Sequence, residues 1–229
     1  MEQELIGVEV LEDPKYQCWQ ERVDLAYKNN LTSELIDHLS QDENELVREA
    51  IALRHNLTPE QIDRLSKDQE IYVRRAIAGR PDLTSGQIDI LTHDEADSVR
   101  EVIAKRDDLT SEQVERLSRD EHYSIRGVMA SRRDLTESQI DQLIQDEYGC
   151  IRATIAQRSD LTADQMERLT RDGHPLVRAT IAQRSGLTAE QVKRLSKDDK
   201  RWVRGVLKNN PHARALLGEK KKKRKGLKL

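Results

Sequence analysis

Seven arginines, Arg48, Arg74, Arg100, Arg126, Arg152, Arg178 and Arg204, stand 26 residues apart. Each follows an aspartate by six positions: Asp42, Asp68, Asp94, Asp120, Asp146, Asp172 and Asp198. A second arginine column, Arg54, Arg80, Arg106, Arg132, Arg158 and Arg184, keeps the same step. Planar guanidinium groups at fixed pitch suit two kinds of chemistry: they grip carboxylates through paired N–H donors, or they line up against phosphates. Helices stacked roughly 8–10 Å apart do not match phosphates about 3.4 Å apart without skipping. The first column is therefore read as a structural ladder in which Arg74, Arg100, Arg126, Arg152 and Arg178 bond an aspartate of the same or the next repeat. The second is read as cations in the last helical turn, facing unpaired carbonyls and the negative end of the dipole.

No catalytic set emerges beside these columns. The histidines are scattered, and His122 and His174 share a repeat position two units apart, too far to ligate one metal. Cys18 and Cys150 lack metal-ligand spacing and do not form a disulfide framework, which fits a reducing, cytoplasmic setting. There is no glycine-rich phosphate loop, and no nucleophile is paired in sequence with a base. The expectation is a protein that is not an enzyme and takes no cofactor or metal.

The elements that must position the arginines follow from the same period. Leu-Thr recurs at Leu31, Leu57, Leu83, Leu109, Leu135, Leu161 and Leu187 without insertion or deletion. In LTPEQIDRLSKDQEIYVRRAIAGRPD, Leu57 to Asp82, Thr58 is an N-cap, Pro59 takes the first helical position and Gln61 completes a capping box. Leu57 and Ile62 form the hydrophobic staple. The spacing predicts a short helix over 59–66 and a second helix beginning at the aspartate, with Val73, Ala76, Ile77 and Arg80 on one face. With 3% aromatic residues and no Phe, small aliphatic side chains must fill the core. Helices this short are stable only when hairpins stack on their neighbours.

The pattern D-x-x-x-x-V-R-x-x-I-A, at Asp68 to Ala78 and Asp172 to Ala182, resembles the leucine-rich repeat variant family and, more broadly, HEAT-like repeats. The resemblance covers Leu31 to His212. It implies an all-α fold, an α-solenoid of seven 26-residue helical-hairpin repeats wound as a right-handed superhelix, with the second helices lining the concave side. The chain lacks the cysteine cluster of the iron–sulfur domain that some members carry, so no cofactor is implied. Residues 1–30 are read as an N-terminal cap with a degenerate repeat, in which Tyr16, Trp19 and Tyr27 seal the core. Residues 31–212 form the repeats, and 213–229 a cap remnant followed by a basic disordered tail.

Positions that differ between repeats point to partners. They cluster in the first turns of each second helix, where Tyr72, Tyr123, Tyr148 and Trp202 fall together with Arg75 and Arg201. Ala153, Gln157, Ala179 and Gln183 are read as facing a partner too. Aromatic side chains are common interface anchors, and the expected function is a non-enzymatic scaffold, monomeric, that binds a protein or peptide. The alternative is a nucleic-acid-binding module that uses the arginine columns and the run Lys220, Lys221, Lys222, Lys223, Arg224 and Lys225, which also has the composition of a nuclear import signal in a eukaryote. Removing the seven positive charges of residues 220–229 takes the net charge from −3 to −10, so the acidic body argues against wrapping a duplex. No basic-then-apolar leader and no long apolar stretch is present, so neither a signal peptide nor a membrane span is expected.

Overall fold

A computed structural model describes residues 4–226, with side chains through residue 218. The chain divides into two units, 1–117 and 118–229. In the first, α1 (Trp19–Ala26) is followed by the hairpins α2 (Ser33–Leu39) with α3 (Glu45–Ala52), α4 (Pro59–Leu65) with α5 (Ile71–Ala78) and α6 (Ser85–Leu91) with α7 (Asp97–Ala104), and then by α8 (Ser111–Leu117). The second unit opens with α9 (Tyr123–Ala130). It continues through α10 (Glu137–Leu143) with α11 (Gly149–Ile155), α12 (Ala163–Thr170) with α13 (Pro175–Gln183) and α14 (Ala189–Leu195) with α15 (Arg201–Asn209), and ends in α16 (Pro211–Gly226). The described residues contain no β-strand. One isolated bridge, Ile6 to Leu31, ties the N-terminal segment to the first hairpin.

From α4 onward each first helix starts by the same device, whereas α2 has only the one-way cap in which Thr32 Oγ1 accepts from Leu35 N. Thr58 Oγ1 accepts from Gln61 N, while Gln61 Oε1 accepts from Thr58 N, and the exchange repeats at Thr84, Thr110, Thr136, Thr162 and Thr188. The glutamines are buried, and their amides go further. Gln61 donates to Ser33 O and Gln113 to Ser85 O, both on the preceding hairpin. A local cap thereby becomes a link between hairpins.

Second helices pack side by side in chain order, α1 to α7 in the first unit and α9 to α15 in the second. Their buried positions repeat. Val47 and Ile51, Val73 and Ile77, Val99 and Ile103 are fully buried, as are Ala52, Ala78 and Ala104, whose small side chains let neighbouring backbones approach. In α9, Ile125 and Met129 take the aliphatic places, and a methionine fits there because its chain is flexible.

Four features differ from the sequence expectation. The second helices begin three residues after the aspartate, not at it: α5 starts at Ile71, with Glu70 as N-cap. The aspartate instead forms a turn before the helix, Asp68 Oδ1 accepting from Glu70 N at 2.9 Å. At the N-terminus Tyr16 is buried, but Trp19 and Tyr27 are exposed, since Leu25 and Ala26 already fill the aliphatic places of α1. Ala153 and Ala179 are buried as well, whereas Gln157 and Gln183 are exposed. The backbone of α16 stays helical through the basic run to Gly226, where the sequence reading puts a disordered tail; Lys and Arg are good helix formers.

Because Ile77 is fully enclosed, Ile77→Ala should cost about 2–5 kcal/mol and Ile77→Val only about 0.5–1.5 kcal/mol. Urea denaturation followed by circular dichroism measures both. Equal, sub-kilocalorie losses would contradict the packing described.

Candidate functional site: two arginine ladders and an exposed helix face

Within each unit, an arginine grips the aspartate that precedes the next second helix. Arg48 Nε and Nη2 donate to Asp68 Oδ2 and Oδ1 at 2.7 and 2.9 Å, and Arg74 to Asp94 at 2.6 and 2.9 Å. In the second unit Arg126 meets Asp146, Arg152 meets Asp172 and Arg178 meets Asp198 in the same fork. Arg22 does the same to Asp42, so the degenerate first repeat carries a complete rung. The remaining donor turns back: Arg74 Nη1 reaches Asp68 O at 2.7 Å and Gln69 O at 3.1 Å. Arg100 likewise reaches Asp94 O and Glu95 O. At Arg74 and Asp94 both side chains are almost fully buried, 7% and 5% exposed.

Hydrogen bonding to the aspartate is the main reason that Arg22, Arg48, Arg74, Arg126, Arg152 and Arg178 hold their protons more tightly than a free guanidinium. Burial opposes this and is outweighed. The Arg178 fork likewise holds the Asp198 carboxyl below the ordinary carboxylate range.

The second column lies beyond the helix, not in its last turn. Arg54 follows the cap residue Leu53, and its Nη1 donates to Ala26 O and Lys28 O at 2.6 and 2.7 Å, at the C-terminal end of the preceding second helix. Arg80 reaches Ala52 O and Arg54 O, Arg106 reaches Ala78 O and Arg80 O, and Arg184 reaches Ala156 O and Arg158 O. Each cation therefore satisfies carbonyls that the previous helix cannot pair itself. The side chain two residues on clamps it. Asp82 takes Nε and Nη2 of Arg80 at 3.0 and 2.7 Å, and Asp108, Asp134 and Asp160 hold Arg106, Arg132 and Arg158 alike.

Sequence reasoning missed these clamps, although Asn56, Asp82, Asp108, Asp134 and Asp160 recur at the repeat period. After Arg184 the place falls to Gly186, which adopts φ +83, and Arg184 Nε has no partner. Burial without a carboxylate clamp pulls the Arg184 guanidinium below its ordinary value, and it does the same to Arg54. Asn210 replaces the arginine in the last repeat and donates to Ala182 O and Arg184 O.

Burial of both columns leaves the opposite stripe of each second helix to solvent. Tyr72 is 64% exposed, and Arg75 lies in the same groove of about 590 Å³, which is also lined by Glu49, Leu53, Ala76 and Val102. Tyr123 and Tyr148 stack with ring centroids 5.0 Å apart, and Arg126 sits 5.7 Å from the Tyr148 ring centre. Arg201 and Trp202 are exposed at the start of α15, separated from Tyr148 by α13. The side chains of Lys220, Lys221, Lys222, Lys223, Arg224 and Lys225 lie outside the described residues. Among the described residues no group of His, Cys, Asp and Glu is placed to hold a metal ion, and no helix is long and apolar enough to cross a membrane.

Short capped hairpins joined through arginine define an α-solenoid repeat protein. The solved structure of a leucine-rich repeat variant with a novel repetitive protein structural motif is similar to this chain, with 27% identity and a TM-score of 0.71 over 87% of this chain and 78% of the other. The chain thus has the leucine-rich repeat variant type of helical repeat fold. No family model matches the sequence, and no curated protein is significantly similar to it.

Two outcomes test the ladders. Lysine has no fork and too few fixed donors for both the aspartate and the carbonyls, so Arg74→Lys should cost about 1–3 kcal/mol in urea titration; a loss under about 0.5 kcal/mol would contradict the geometry. The second outcome concerns pH. Asp82, Asp134 and Asp160 are held below the ordinary value of 3.8, mainly by the neighbouring arginine, and Asp198 by Arg178. Depressed folded values mean that this stability is present above about pH 4 and is lost as pH falls through the lower folded values. Asp82→Asn should flatten that acid slope, and an unchanged slope would contradict the assignment.

Proposed function

We propose that this chain is a non-enzymatic repeat scaffold that binds a protein or peptide through the exposed stripes of its second helices. The observation that carries the reading is the division of labour on those helices. Valine, isoleucine, alanine and arginine at fixed positions are turned inward, while Tyr72, Tyr123, Tyr148 and Trp202 remain at least 42% exposed. Large amphipathic side chains held on a rigid frame suit partner anchoring at low entropic cost. A nucleic-acid reading needs the arginine columns at the surface, yet Arg48, Arg54, Arg74, Arg80 and Arg100 are buried and bonded within the fold.

The test is affinity capture with nuclease-treated lysate and mass spectrometry, repeated with Tyr72→Ala, Tyr123→Ala and Trp202→Ala combined. The scaffold reading expects a defined protein partner for the wild type and its loss from the variant. Capture of nucleic acid that weakens steeply between low and physiological salt, unaffected by the aromatic substitutions, would contradict it.

A further inference from the structure

The exposed faces of the two units differ in charge. Apart from the arginines of the ladder, α1, α3, α5, α7 and their C-cap residues carry six carboxylates, Glu21, Asp24, Glu45, Glu49, Asp97 and Glu101, against two cations, Arg75 and Lys105. Lys105 is already paired with Glu101 at 2.7 Å. Asp24, Glu45 and Glu49 make no ion pair among the described residues. In α9, α11, α13 and α15 there is no aspartate or glutamate at all. The aliphatic and arginine positions are the same in both sets, so the scaffold does not require the difference.

The acidic face is also the more apolar at its surface. Trp19, Tyr27, Leu46, Leu53, Ile71 and Tyr72 are all exposed there. They stand on helices that pack consecutively, so their stripes adjoin. Leu53, 58% exposed, and Tyr72 line one groove of about 590 Å³ whose walls are mainly apolar, with Glu49 and Arg75 beside them. Such a groove admits an apolar side chain, the surrounding carboxylates attract cations, and Arg75 has N–H donors for a peptide carbonyl.

We propose that the exposed face of α1, α3, α5 and α7 binds a basic peptide segment, with an apolar side chain seated between Leu53 and Tyr72. The proposal rests on the scaffold reading and specifies its ligand class and its surface. Carboxylates steer a lysine- or arginine-rich segment to the face, and the groove discriminates segments that carry an apolar side chain from those that are only charged.

Fluorescence anisotropy tests it with the full chain and three labelled synthetic peptides: alternating lysine and leucine, alternating glutamate and leucine, and lysine alone. Circular dichroism checks that each variant keeps its helicity. The lysine–leucine peptide should bind most tightly, less so at high salt. Tyr72→Ala, and Glu45→Gln with Glu49→Gln, should each weaken it by about tenfold or more, while Glu60→Gln on α4, an exposed carboxylate off this face, leaves it unchanged. Equal binding of the glutamate–leucine peptide, or of lysine alone, would overturn the proposal. Loss on Trp202→Ala but not on Tyr72→Ala would overturn it too, moving peptide binding to the second unit and leaving the scaffold reading intact. If none of the three peptides bound, this proposal would fall while protein capture by the wild type could still stand.

Discussion

The fork between an arginine and the aspartate of the next repeat, formed three times within each unit, is the interaction on which the rest depends. One aspartate does three things: its carboxylate accepts both guanidinium bonds, Oδ1 also receives the backbone N–H two residues on, and its own carbonyl accepts from the arginine of its own repeat. The guanidinium thus fixes the loop before its own helix and the loop before the next. A buried pair of this kind adds little net stability over an apolar pair of equal volume, because desolvation offsets the attraction. Its contribution is register, since a helix shifted by one residue would leave two charges buried and unmatched. The constant 26-residue step without insertions follows from that constraint.

Once the inner positions are committed, the outer stripe is free to vary, and the two units use it differently. The second column closes the arrangement at the other end of the helix by filling carbonyls that a short helix leaves open. At Gly186 and Asn210 the repeat runs out: the clamp is missing after Arg184, and a neutral amide takes over the carbonyls next to α16. Here the hairpin repeats give way to α16.

Much of the fold was legible in the sequence because its signals are local. Thr caps, the glutamine of the capping box, the leucine staple and the Val/Ile/Ala spacing act within one helix, and sevenfold repetition separates them from chance. What was not legible depends on a neighbour. The second helix starts late because the aspartate is claimed by an arginine 20 residues earlier, a competition that cap preference alone does not show. Trp19 and Tyr27 look like plugs by size, but the repeat register had already given their inward places to smaller residues. Ala153 and Ala179 occupy columns that hold charged residues elsewhere, and burial there becomes apparent only once adjacent helices are in place. The groove at Leu53 and Tyr72 joins residues of successive repeats, so a comparison column by column did not assemble it.

The double-mutant cycle on Arg74→Met and Asp94→Leu, measured by urea unfolding, tests the central claim most directly. If the fork sets register as described, each single change is strongly destabilising, and the double change costs less than the sum of the two by a coupling energy of about 1.5–3 kcal/mol, while the bonds of Arg74 to Asp68 O and Gln69 O and of Asp94 to Ala96 N are still lost. Single changes that add independently, with coupling below about 0.5 kcal/mol, would contradict it.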